Sequence, residues 1–270
     1  MTVNNIAQEA PSKGFSRTLI VVGAVVAVVA LGAGASASFW SSQRGSASLD
    51  ADMTGVTAIE LDSSGANIDV EFADVEVATL NVVNEGSPGY EWKLTTENGV
   101  LRVAQDEPWF SWSFQSKLDD ITLLLPEEFR DAALDLEINH AGGAVEIAGS
   151  FGDITAVLDG GMIDLDGAAS ALNLEVNGGF AELALDDLRT AEIELSGGRV
   201  DAEISGEQPR DITASVTAGT LDLIVPQGSY NTVLSQLAGS IDNQLDVDSK
   251  SESRIRVDLV GGSATLTAED

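Results

Sequence analysis

From Leu136 to Leu266 the chain reads as short runs in which apolar and polar residues alternate, each run broken by a pair of small residues. Leu136/Ile138, Leu172/Leu174/Val176, Ile193/Leu195 and Ile255/Val257/Leu259 occupy equivalent positions ahead of the pairs. Val145/Ile147, Ile163/Leu165, Leu183/Leu185, Leu221/Leu223 and Leu245 occupy equivalent positions after them. A period of two is the signature of a strand with one face buried. The pairs are Gly142-Gly143, Gly160-Gly161, Gly178-Gly179, Gly197-Gly198, Ala218-Gly219, Ala238-Gly239 and Gly261-Gly262, with successive second glycines 18 to 23 residues apart. Self-similarity at this period marks a solenoid, whose single copy cannot bury its own apolar face. Glycine accepts positive φ without a Cβ penalty, so the chain is expected to turn sharply at the same place in each copy. Stacked turns give parallel strands about 4.8 Å apart. The expected fold is all-β, a right-handed parallel β-solenoid, with hairpin-based stacking of β layers as the alternative.

The pattern is less regular ahead of this region. Thr57–Leu61 and Ile68–Phe72 alternate around Ser63-Ser64-Gly65 and read as an irregular first copy. Val77–Val83, Tyr90–Thr95, Val100–Val103 and Ile121–Leu125 read as further strands, with Asn98-Gly99 as a hairpin turn. The one helical candidate is a turn within Glu127–Ala133.

Leu19 to Phe39 carries no charge, and as a helix its residues would span roughly 31 Å, the thickness of a bilayer core. Lys13 and Arg17 precede the run, and Phe39-Trp40 closes it. Positive charge inside and aromatic residues at the interface orient the body outside the membrane. Ala35-Ser36-Ala37 offers a signal-peptide cleavage site as the competing reading; both readings export the body. The expected organisation is a cytoplasmic tail (1–17), a transmembrane helix (18–40), a flexible linker (41–54) and an extracytoplasmic β-repeat domain (55–270), irregular over 55–133 and regular over 134–270.

Composition narrows the chemistry. There is no cysteine and one histidine, so disulfides, thiolate catalysis and histidine-rich metal sites are excluded within one chain. The net charge is −31, and it falls almost entirely on the body: up to Arg44 there is one acid against three bases. Such a surface repels nucleic acid and anionic lipid, and attracts cations.

The order Ile121-Thr122-Leu123-Leu124-Leu125-Pro126, then Leu134–Ile138, Gly142-Gly143 and Val145–Ile147, is echoed later. Leu223-Ile224-Val225-Pro226 precedes Leu237–Asn243, and the chain closes on Arg254–Val257 and Gly262–Leu266. This order resembles the toast-rack, or putative-adhesin, β-strand repeat family of bacterial envelope proteins, over most of residues 55–270. The resemblance implies a β-solenoid-like body, often beside a membrane segment and sometimes linked to envelope stress, with no catalytic residues to carry over. The family's Ser-Gly turn stands here mostly as Gly-Gly.

Three residues past the second glycines stand Glu146, Asp164, Glu182, Asp201, Asp222 and Asp242, with Thr265 in the last copy. In register they form a carboxylate column whose neighbours, roughly 5 Å apart, repel by about 0.9 kcal/mol in water. Splayed side chains relieve this, as would a weakly held Ca²⁺ or Mg²⁺; the ordinary reading is a solvated outward position needing no cofactor. No EF-hand or RTX nonapeptide is present. Trp109, Phe110, Trp112 and Phe114 concentrate four of fourteen aromatics in six residues, as a partner-binding ridge or as a cap on the open end of the stack. His140, beside Gly142, reads as a solvated turn residue. No nucleophile elbow, Walker loop or zinc-protease helix occurs, and the acids recur with the repeat as a surface pattern does, so no enzyme is expected. The final strand, Arg254 to Leu266, ends near the last residue, so its edge is expected to be open to self-association unless Glu269 and Asp270 discourage it. The expected function is non-catalytic: a membrane-anchored binding, adhesin-like or envelope-sensing module displaying a long face to a cell-envelope protein, a wall glycan or cations. An assembly role in an envelope-stress complex and action on polysaccharides are the alternatives.

Overall fold

Each alternating run becomes a strand, and equivalent runs pair in parallel. The computed structural model describes residues 46–83, 91–106 and 118–269. The expected transmembrane helix and the aromatic run 109–114 lie outside them. Among the described residues no helix is long and apolar enough to cross a membrane.

Every repeat contributes one run before its glycine and one after. The leading runs belong to β2 (Ala58–Ser63), β8 (Leu134–His140), the second halves of β9 (Gly143–Leu158) and β10 (Met162–Val176), then β12 (Thr190–Leu195), β14 (Asp211–Val216), β19 (Arg254–Leu259) and β16 (Ser229–Gln236). Each pairs in parallel with the next in this order. The trailing runs form a second series: β3 (Ala66–Ala73), the first halves of β9 and β10, β11 (Phe180–Asp186), β13 (Arg199–Ser205), β15 (Thr220–Val225), β20 (Ser263–Ala268) and β17 (Ser240–Asn243). These too are parallel throughout. The parallel stack, not the hairpin alternative, is therefore the architecture of the repeats.

The inward residues form continuous columns. Leu61, Ile138, Ala156, Leu174, Ile193, Ala214 and Val257 follow one another through the leading series, none more than 1% exposed. Val145, Ile163, Ala181, Val200, Leu221 and Ala264 do the same in the trailing series, and both feed one core. A buried Leu or Ile contributes roughly 1.5–3 kcal/mol, so a coil is stable only when another covers it.

The second glycine of each pair is dictated by this stacking. Gly179 has φ +94°, and a Cβ there would lie 2.3 Å from the Gly161 carbonyl oxygen of the coil beneath. The same contact recurs at 2.3 Å between Gly161 and Gly143 and at 2.2 Å between Gly198 and Gly179. The first member of the pair tolerates a side chain, as Ala218 and Ala238 show.

The irregular region closes the first end. β2 and β3 cover β8 and β9, as an irregular first copy should. On their other side lie β6 (Val100–Asp106) and β7 (Asp119–Pro126). Beyond these the pairing turns antiparallel, with β5 (Glu91–Glu97) on β6, β4 (Ala78–Val83) on β7 and β1 (Ser46–Ala51) on β4. Asn98 and Gly99 both have positive φ and form the expected hairpin turn. A 3₁₀ turn, Glu127–Phe129, is all that forms in the helical candidate. The expected linker is too long by one strand: β1 falls within 41–54, because Leu49 is buried and Ala47 packs partly against the core.

The other end departs from chain order. β19 and β20, expected to present the free edge, lie between β14/β15 and β16/β17, paired on both sides. The glycines repeat the order, Gly262 resting on Gly219 and Gly239 on Gly262. The reason is in the inward residues. β19 carries Ile255, Val257 and Leu259, whereas β16 carries Thr232, Leu234 and Gln236 at the same positions. The more apolar coil takes the place covered on both sides, and the more polar one becomes the end. A short strand, β18 (Asp246–Val247), covers only Ser229 and Tyr230 of that last coil.

Candidate functional site

The trailing series turns its outward residues to solvent, and there the acids align. Glu146, Asp164, Glu182, Asp201 and Asp222 occupy consecutive strands in register. Asp69 of β3 extends the column at the Glu146 end, a member that spacing alone did not reveal because its copy lacks the glycine pair. Asp242 is not contiguous with them: Thr265 stands between it and Asp222, since β20 separates β15 from β17. The uninterrupted column is thus Asp69 to Asp222, at a strand spacing of about 4.8 Å.

Arg199 is the one cation bonded into this column among the described residues. Its Nε donates to Asp201 Oδ1 at 2.6 Å and its Nη2 to Asp222 Oδ2 at 2.8 Å, tying two coils together. Among the described residues no three acidic or histidine side chains converge closely enough to hold a metal ion. What the column presents is a linear array of carboxylates.

The leading face carries a shallow groove that the residue pattern did not announce. It is lined by Asp153, Thr155, Ala171, Asn173, Thr190, Glu192, Asp211 and Thr213. A second depression, lined by Ala58, Glu60, Val100, Asp135 and Glu137, shares Asp153 and Thr155 with it. In these depressions Ala58 stands beside Asp135, Ala171 beside Asp153 and Thr190 beside Asp211, so small residues alternate with acids.

His140 is not a solvated turn residue. It ends β8 with 3% exposure, between Ser63 and Leu158 in an inward column. Neither ring nitrogen has a hydrogen-bond partner with sound geometry, and neither does Ser63 Oγ or Gln105 Nε2. Burial pushes the imidazole pKa down, only weakly opposed by the Gly143 backbone. Nearby, the buried Asp119 carboxylate accepts a bond from Trp92 Nε1 at 3.1 Å. Burial raises its pKa, and the Trp92 bond offsets part of that. These groups are sealed from solvent and offer no open site. The expected aromatic ridge at Trp109, Phe110, Trp112 and Phe114 lies outside the described residues.

Comparison with known proteins places this geometry. The family model described as Toastrack DUF4097 matches residues 56–259. Among solved structures, one described as a "putative adhesin" from Bacteroides fragilis is 12% identical, with 84% of this chain and 98% of that chain covered, at a TM-score of 0.48. Another "putative adhesin", from Parabacteroides merdae, is 10% identical over 83% of this chain and 96% of that one, at a TM-score of 0.45. A "putative cell adhesion protein" from Clostridium sporogenes is 10% identical over 84% of this chain and all of that one, at 0.39. No curated protein matches in sequence. With the family model spanning most of the described body, this chain belongs to the Toastrack DUF4097 family.

Proposed function

We propose that the protein is a non-catalytic binding module of the cell envelope, anchored by residues 18–40 and displaying its repeat body outside the membrane as an adhesin-like or sensing surface. Right-handed winding, the near-universal hand for parallel strands joined by a crossover, is part of the same reading. The observation that carries it is the uninterrupted carboxylate column from Asp69 to Asp222 on an open face. A long, repeated, unenclosed array suits recognition of an extended polymer or protein surface. A reaction would instead need two groups of different character held together in a cleft. Electrostatic attraction of cationic groups on a wall polymer or envelope protein would supply the encounter rate.

The test is co-sedimentation of the protein with isolated cell walls and membranes across a salt series. The reading predicts binding that weakens from 50 to 500 mM salt, drops about tenfold or more in the Asp164→Asn/Glu182→Gln/Asp201→Asn variant, and leaves the wall glycan intact. Salt-independent binding indifferent to those substitutions, or release of glycan fragments, would refute it.

A further inference from the structure

The last coil of the stack is unfinished, and we infer that a second copy of this chain completes it, edge to edge, through β16 and β17. Three observations meet there. Among the described residues both strands are paired on one side only, β16 to β19 and β17 to β20, apart from the two residues under β18. The Asn231 and Leu237 N–H groups point back at the coil beneath. Alternate residues of a parallel pair bond to opposite sides, so Thr232, Leu234 and Gln236 turn theirs to the open side.

Apolar surface is also left uncovered. Val257 is fully buried, while Leu234, its partner one strand further out, is 38% exposed and Leu237 is 82% exposed. The inward column that runs unbroken through the stack stops at Leu234, with nothing over it among the described residues.

Charge then selects the occupant. From Ser229 to Ile241 there is no charged residue, and β16 and β17 together carry one charge, Asp242, in a chain of net charge −31. Two copies repel one another through their acidic faces and least through this end. The edge also lacks the lysine, proline or inward charge by which open edges are usually protected, whereas the opposite end is closed by antiparallel strands bearing Asp50, Glu91, Lys93 and Glu97. A two-fold axis normal to the two strand layers sets β16 antiparallel to its own copy, and β17 likewise, so every open donor meets an acceptor. The end coil and the loop behind it, residues 229–251, approach the roughly 20–30 residues that a specific interface uses on each side. The inference is independent of what the acidic face binds.

The chain has no cysteine, which makes the test direct. Single cysteines at positions 232 to 236 are placed one at a time in the full chain in native membranes, with Glu194→Cys on β12 as control. Oxidation is expected to yield a disulfide-linked homodimer at the positions nearest the two-fold and none at 194. Val233→Glu/Leu237→Glu, at exposed sites outside the inward column, is expected to abolish the cross-link and to weaken dimerisation of the detergent-solubilised chain at least tenfold by sedimentation equilibrium. A monomer at 100 μM, cross-links at 194 as strong as at the edge, cross-links indifferent to the charged pair, or cross-links to a different protein would each overturn it.

Discussion

Gly179 and Gly178 adjoin in sequence and differ in what they permit. Gly179→Ala sets a methyl group against the Gly161 carbonyl at a φ of +94°, so it is expected to cost at least about 2 kcal/mol. At Gly178 the nearest atom to an added Cβ is the Asp159 oxygen at 3.3 Å, and Gly178→Ala is expected to cost under about 1 kcal/mol. Urea denaturation of the two variants checks the contrast. The seven-fold recurrence was legible in the sequence because backbone contact admits only one residue there. His140 was not: its neighbour Gly142 suggested a turn, and nothing local tells that the strand runs on through His140. Its folded pKa lies below the unfolded value of about 6.5, so the unfolded chain takes up the proton first. Stability attributable to His140 is present above pH 6.5 and lost as pH falls toward the depressed folded value. His140→Leu, which matches Leu158 beside it, is expected to raise the melting temperature and to flatten the decline between pH 7.5 and 5.5. A parallel decline in both proteins would contradict the assignment.

A strand in this stack is read by its two faces separately. Outward, the acid column is a repulsive ladder except at the Asp201–Asp222 step that Arg199 bridges, each unbridged step being about 0.9 kcal/mol in water at low salt. Asp164→Asn is therefore expected to stabilise, by up to about 1 kcal/mol, and 1 M salt to raise the wild-type melting temperature by screening the same repulsion. Arg199→Ala is expected to destabilise, since it releases Asp201 and Asp222 together. With no three acids converging among the described residues, EDTA is expected to leave the melt unchanged; a drop of several degrees would instead reveal a bound divalent ion. The run from Glu146 to Asp222 was foreseeable from spacing alone, whereas Asp69 and the break at Thr265 before Asp242 were not. The groove on the leading face was not, because it depends on which residues fall side by side across four strands.

At the scale of the molecule, the repeats stack as their spacing implies, but not in the order the chain visits them. Proximity in sequence argued for β19 and β20 as the end, and sorting by apolar content overruled it. The comparison of Ile255/Val257/Leu259 with Thr232/Leu234/Gln236 held that answer in advance. The consequence is large, because it moves the open edge to β16 and β17, whose single charge is Asp242. It also makes the architecture testable without a ligand. Thr220 pairs with Ser263, their hydroxyls 3.3 Å apart, and Ser263 pairs with Ser240. Disulfides require Cα atoms within about 7 Å, and strands two apart stand roughly 9.6 Å from each other. The decisive measurement is disulfide formation in three double variants of this cysteine-free chain. Thr220→Cys/Ser263→Cys and Ser263→Cys/Ser240→Cys are predicted to close readily within one molecule, and Thr220→Cys/Ser240→Cys to stay reduced. Closure of Thr220→Cys/Ser240→Cys with failure of Thr220→Cys/Ser263→Cys would mean that the coils stack in chain order, and failure of all three pairs that they do not stack in register.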